Sequence, residues 1–287
     1  MNNCRGVDHV SLSRAPVLGL PVSICNYSEV MALLRSWAEN STACHLVAAA
    51  NTHVVSMAHR DEQFREAMKK FDLIVPDGMP LIWYLNRIHG AGLKDRVYGP
   101  DLMRRVLATT EAAERHFLLG GAEQERLKLE QAIAREYPQA YIVGVYSPPF
   151  GEWPAGEEEN IVRLLQHAAP TFVWIGLGCP KQELLLARLK PVLPQAVYLA
   201  VGAAFSLISG TVRQAPVSWQ RLGLEWAFRL LMEPRRLWQR YLVNNTHFMF
   251  FTGLEVLQKI TRRPSNQIVL VLVLVLESAF TSALPAS

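Results

Sequence analysis

FDLIVPDGMPLIWYLNRIHGAGLKDRVYGPD, Phe71 to Asp101, is the stretch from which the fold is read. It opens with a short apolar run, Leu73-Ile74-Val75, that reads as a buried strand. Pro76-Asp77-Gly78 breaks the run, and an apolar helical segment from Met79 to Ile88 follows. A carboxylate at the C-terminal end of a strand, beside a glycine turn and a helix start, stands where open α/β sheets bind ligands. Asp77 is therefore the first candidate for chemistry. The competing reading is that Asp77 only caps the next helix, the usual task of Asp at such turns.

The same rhythm extends in both directions. Strand signals at Leu18–Cys25, His45–Ala50, Phe117–Gly121, Ala140–Val145, Thr171–Ile175 and Val197–Val201 alternate with helical periodicity. The helical segments are Tyr27–Glu39, Val54–Lys70, Leu102–Glu114, Glu123–Tyr137 and Glu157–His167. Such alternation predicts an α/β fold, a Rossmann-like, largely parallel sheet with helices on both faces. Residues 17–212 form this unit in our reading, after a flexible arm over residues 1–16.

Several strand ends carry glycine or polar residues that would meet at one edge of the sheet: Asn51, Asp77-Gly78, Gly120-Gly121, Gly176 to Gln182, and Gly202. Asn51 is either a helix cap or an amide aimed into the crevice that holds Asp77. In Gly176-Leu177-Gly178-Cys179-Pro180-Lys181-Gln182-Glu183 the glycines permit close backbone approach. The helix start after Pro180 offers free N–H groups to an anion. A dinucleotide fingerprint would need glycine at position 181, where lysine stands. The convergence points to a small-molecule site, a nucleotide by preference. Arg96 is either a solvated loop charge or the cation that a diphosphate leaving group requires.

From residue 213 the character changes to helices alone. Gly210 to Arg263 holds nine Lys and Arg against three acids, so the chain's formal +4 is concentrated here and the remainder carries −2. Aromatic residues interleave with the arginines. Residues 213–263 are thus predicted to form a basic, aromatic, helical appendage, either a cap with solvated arginines or a face for anionic lipid. Arg229, Arg235, Arg236 and Arg240 are the expected membrane contacts. Nucleic acid is not the expected partner, because the excess is modest and no binding motif accompanies it. Ile268–Leu276 (IVLVLVLVL) is too short for a spanning helix, and the apolar tail 264–287 has no assigned role. Cys4, Cys25, Cys44 and Cys179 are scattered without metal spacing and suit a reducing compartment. With no apolar leader at the N-terminus, the expectation is a cytoplasmic protein with peripheral membrane contact.

With these residues assembled, the sequence resembles the WecG/TagA/CpsF family of bacterial glycosyltransferases over about residues 17–245. The resemblance rests on Asn51, Pro76-Asp77-Gly78, Asp95-Arg96-Val97 with Gly99 and Asp101, Gly176 to Glu183, and Gly202 to Phe205. It continues through Arg213-Gln214-Ala215-Pro216, Gly223-Leu224-Glu225-Trp226 and Glu233-Pro234-Arg235-Arg236. It implies inverting transfer of a sugar from a UDP-sugar to a polyprenyl-diphosphate-linked sugar in exopolysaccharide, teichoic acid or common-antigen biosynthesis. It further implies Asp77 as general base, Asn51 in the sugar pocket, and Arg96 and Gln182 assisting the diphosphate or acceptor. Gly78, Asp101, Gly120, Gly176, Gly178, Lys181, Glu183, Gly202 and Phe205 complete the expected donor site. Ala49 departs from members with threonine there, so donor preference does not carry over.

An inverting transfer needs one base for the acceptor hydroxyl. The chain has no Asp-x-Asp pair, so the expected transfer is metal-independent and uses no cofactor beyond the UDP-sugar donor, with Arg96 and backbone amides compensating the leaving charge. A Rossmann-like dehydrogenase or methyltransferase, and a non-catalytic membrane-associated scaffold, are the alternatives. A homo-oligomer that shelters the basic helices is a further expectation.

Overall fold

The computed structural model describes residues 12–40 and 42–261. The first eleven residues of the expected arm, with Cys4, and the tail over 264–287 lie outside the described residues, as do the side chains of Arg236 and Arg240.

The described chain opens with a hairpin, β1 (Arg14–Val17) and β2 (Leu20–Ser23), then α1 (Tyr27–Asn40) and β3 (Cys44–Ala50). α2 (Thr52–Arg60), α3 (Glu62–Lys69), β4 (Leu73–Pro76), α4 (Met79–His89) and α5 (Gly99–Ala108) follow. Next come β5 (Arg115–Gly120), α6 (Glu123–Glu136), β6 (Tyr141–Tyr146), α7 (Glu157–Ala168), β7 (Phe172–Gly176) and α8 (Lys181–Leu189). β8 (Ala196–Ala200) and α9 (Ala204–Ile208) complete the α/β part, and α10 (Val217–Arg221), α11 (Glu225–Met232) and α12 (Pro234–Thr261) are the helical end.

Six strands form one sheet in the order β4-β3-β8-β7-β5-β6, and every neighbouring pair is parallel. The two-residue period of a strand sorts its side chains to opposite faces. Leu46, Ala48 and Ala50 of β3 enter one core with Val173 and Ile175 of β7, while Val47 enters the other with Phe172 and Trp174. Both faces are covered, which is why these strands read as continuous apolar runs.

Three local expectations are corrected. The strand signal at Leu18–Cys25 is the second half of an antiparallel hairpin outside the main sheet. Leu18 and Gly19 both take positive φ, as a two-residue hairpin turn demands. The helix expected over Val54–Lys70 is two helices, because Asp61 stops α2 and accepts the Phe64 N–H to start α3. The helix expected over Leu102–Glu114 runs instead from Gly99 to Ala108, with proline in its first turn.

α12 lies against α2 and α4 rather than standing apart. Phe248, Phe251 and Leu254 enter the core on that side. A polar seam fixes its register: Thr52 Oγ1 donates to Asn245 Oδ1 at 2.8 Å, Ser56 Oγ to the Asn244 carbonyl at 2.8 Å, and Arg60 to Asn244 Oδ1 at 2.6 Å. His59 and His247 meet at 3.3 Å in the same seam. No described helix is long and apolar enough to cross a membrane.

Candidate active site

The strand order sets the position of the site. From β3 the chain crosses to β4 on one side, while β8 lies on the other, so the carboxyl ends of these strands frame a crevice at a topological switch. Register does the rest. Ala50 pairs with Pro76, which places Asn51 and Asp77, the next residues of each strand, side by side. The Asp77 N–H donates to the Ala50 carbonyl at 2.8 Å and ties the two strand ends together.

A cleft with a cavity of about 150 Å³ opens there. Asn51 and His53 line it after β3, Asp77 and Gly78 after β4, Gly178, Gln182 and Glu183 after β7, and Gly202 after β8. Arg96 and Tyr98 reach it from the approach to α5. The helical end supplies Gly223, Glu225, Trp226, Arg229 and Tyr241. Gly223, at positive φ, holds the α10–α11 turn over α4: a Cβ there would lie 2.9 Å from the Trp83 ring.

Asp77 does not cap α4. The cap is Gly78, without a side-chain hydrogen bond. Asp77 Oδ1 is buried with no hydrogen-bond partner, and the carboxyl accepts from the backbone N–H of Gly99. Burial pushes this carboxyl up to about 8; Arg96 opposes the shift, Glu225 adds to it, the Gly99 N–H opposes it and Asp101 adds again. Its proton affinity therefore lies near neutrality, unlike that of an ordinary surface carboxylate.

Arg96 is not a solvated loop charge; it is 8% exposed. Its Nη2 donates to Glu225 Oε2 and to Gln220 Oε1, the latter at 3.1 Å, and its guanidinium lies 4.0 Å from the Tyr98 ring centre. The Tyr98 hydroxyl donates to Glu225 Oε1. Burial works against the charge on Arg96, yet Asp77 and Glu225 together hold its pKa above the ordinary value.

Asn51 has both of its expected placements at once. Its Oδ1 accepts from the His53 N–H at 3.1 Å and the Val54 N–H at 3.3 Å, capping α2, while the residue lines the cleft. Gln182 is 3% exposed and pinned twice. Its Oε1 accepts the Gly178 N–H at 3.2 Å and its Nε2 donates to Glu183 Oε1 at 2.8 Å. The Gly178 amide, in the loop expected to let backbone approach a ligand, is thus engaged by a side chain.

Five expected donor-site residues lie outside the cleft lining. Gly120 and Gly176 are opposite one another in register, and their reason is packing. A Cβ on Gly120 would fall 2.7 Å from the Gly176 carbonyl carbon, and one on Gly176 would fall 2.5 Å from the Phe205 ring. Phe205 itself is core, 1% exposed. Asp101 pairs with Arg104 at 2.9 Å. Lys181 is drawn aside, its Nζ 4.1 Å from the Trp153 ring centre and 3.2 Å from the Gly151 carbonyl.

Glu225 and Arg229 were missed as cleft residues in the sequence. Glu225 stood inside a quoted motif, and Arg229 was expected only at a membrane. The Arg229 Nε is buried without a hydrogen-bond partner at the cleft wall. Among the described residues no three His, Cys, Asp or Glu side chains are grouped as a metal site.

The N-acetylglucosaminyldiphosphoundecaprenol N-acetyl-beta-D-mannosaminyltransferase of Bacillus subtilis (strain 168) is 29% identical over 199 residues, 69% of this chain and 75% of its own. The like-named protein of Bacillus spizizenii (strain ATCC 23059 / NRRL B-14472 / W23) is 28% identical over 197 residues, 68% of this chain and 74% of its own. Residues 15–265 match the glycosyl transferase WecG/TagA/CpsF family. A parallel α/β sheet, a carboxylate at its switch point and a match across most of the chain agree: this protein belongs to the WecG/TagA/CpsF family of glycosyltransferases.

Proposed function

We propose that this glycosyltransferase moves a sugar, an N-acetylhexosamine in our reading, from UDP to a hydroxyl of a polyprenyl-diphosphate-linked sugar, with inversion at the anomeric carbon. The observation that carries the reading is Asp77: a carboxyl at the cleft floor with one oxygen buried and unpartnered. As a base, Asp77 takes the proton of the acceptor hydroxyl while that oxygen attacks the anomeric carbon and UDP departs from the opposite face. Asn51 lies beside it, with its Oδ1 committed to capping and its amide nitrogen left to hold the sugar.

Charge develops on the departing diphosphate and needs cationic or N–H partners. Arg229 suits this task better than Arg96, because Arg96 already serves Glu225 whereas the Arg229 Nε is buried without a partner. Transfer is metal-independent in this scheme. The names of the two Bacillus proteins support an N-acetylmannosamine donor and an N-acetylglucosamine-diphosphate lipid acceptor. A β product from an α-linked UDP donor is an inversion.

The protein meets its lipid acceptor peripherally, on the cytoplasmic face of the bacterial plasma membrane. Support comes from the exposed Leu231, Met232, Trp238 and Leu242 on α11 and α12, which flank the exposed Arg235. Apolar and basic side chains on one helical surface suit an anionic bilayer.

The experiment is a panel of UDP-sugars with a lipid-diphosphate-N-acetylglucosamine acceptor, with and without chelator, and product anomeric configuration read by NMR. A β-linked product formed equally in chelator is expected. An α-linked product, or activity abolished by chelator and restored by a divalent ion, would contradict the scheme.

A further inference from the structure

The cation beside Asp77 is itself held by a residue from the far end of the chain. Glu225 opens α11, 129 residues beyond Arg96 in sequence, and its carboxylate spans two partners. One oxygen accepts from Arg96 Nη2 and the other from the Tyr98 hydroxyl. The two side chains of the Arg96–Glu225 ion pair are only 9% and 12% exposed. Gln220, at the end of α10, accepts from the same Arg96 nitrogen. Two members of this cluster thus come from the α/β part and two from the helical end.

We propose that Glu225 is a positioning residue for the transfer, clamping the Arg96 guanidinium in the cleft that Asp77 lines, so that helix α11 controls the charge on the base. The proposal rests on the reading of Asp77 as base and deepens it. A buried guanidinium supplies one positive charge. Glu225 already claims it through a direct ion pair, so an ionised Asp77 is a second anion on one cation. The proton on Asp77 is therefore held more tightly with Glu225 charged than with a neutral residue in its place.

Other titratable groups face Asp77 from the elements packed around it. Tyr98 and Asp101 face it from α5 and its approach, and Tyr27 from α1. Arg229 of α11, His53 of α2 and Glu183 of α8 share its cleft. Among these groups Glu225 is the carboxylate in direct contact with Arg96, which makes it the charge whose removal changes the balance without disturbing Asp77 itself. Arg96 lowers and Glu225 raises the affinity of Asp77 for its proton.

The test is the pH profile of kcat/KM for the full chain carrying Glu225→Gln. Glutamine keeps an oxygen for Arg96, loses the charge, and turns its NH2 to the Tyr98 hydroxyl, which must then accept rather than donate. The acid limb is expected to move to lower pH by roughly one unit, in a variant that still folds, at some cost in unfolding temperature. Glu225→Asp keeps the charge but shortens the reach; it should give a smaller shift of the same sign with a lower kcat. If either folded variant shows the wild-type limb and the wild-type kcat, the proposal is wrong. Asp77→Asn separates the two ideas. If it keeps the wild-type rate, the reading of the base fails. If it loses activity while the Glu225→Gln limb stays put, only the role of Glu225 fails.

Discussion

Asp77→Asn should make the protein more stable above neutral pH while removing its activity. The carboxyl is raised from 3.8 to about 8, so the folded state binds a proton that the unfolded state has released. The resulting stability is fully present below the unfolded value, declines as pH rises from about 4, and is lost above about 8. At one unit per about 1.4 kcal/mol the interval sets a ceiling of about 6 kcal/mol. A single buried polar atom left unsatisfied costs about 1–3 kcal/mol. The cleft admits water, so the lower scale applies, and about 2 kcal/mol is expected. Asparagine has nearly the shape of the protonated acid and carries no charge to desolvate. Thermal unfolding followed at pH 4 and pH 9 should show little difference at pH 4 and a rise of roughly 4 °C or more for the variant at pH 9. A shift that is the same at both pH values would refute the burial argument. A variant less stable at pH 9 than at pH 4, relative to wild type, would show that Arg96 stabilises the ionised carboxylate more than burial penalises it.

Arg229→Ala should lower kcat about 100-fold with folding intact, the effect of removing one donor from a developing anion; an unchanged kcat would take Arg229 out of the transfer step. Gly176→Ala sets a methyl group against the Phe205 ring and should cost about 1–3 kcal/mol, read as a lower urea midpoint with unchanged slope. Asn51→Ala should lose about 1 kcal/mol from the α2 cap and also depress kcat/KM. Loss of stability alone would leave Asn51 as a cap.

The parts of this molecule that were legible in sequence are local. Leu73-Ile74-Val75 and Thr171–Ile175 announced strands because strands buried on both faces are apolar without interruption. Asp77 was legible because a strand end, a glycine turn and a helix start are contiguous in sequence. What was not legible depends on distant packing. Glu225 reaches Arg96 across 129 residues, and no spacing rule connects them. Gly120 and Gly176 looked like ligand glycines because glycine at a strand end serves close approach of either a ligand or a neighbouring chain. Only the register, with Phe205 seated behind Gly176, separates the two. Lys181 is turned from the site by a contact with Trp153 that no local pattern in the sequence reveals. The hairpin turn was missed because its first residue is leucine, a residue rarely found at positive φ.

The most direct test of the central claim is acceptor-dependent UDP release by wild type and Asp77→Asn, measured with UDP binding on the same preparations. The account expects release that requires the lipid-diphosphate-sugar acceptor, a loss of at least about 100-fold in the variant, and UDP affinity unchanged. Equal release by both proteins would contradict it.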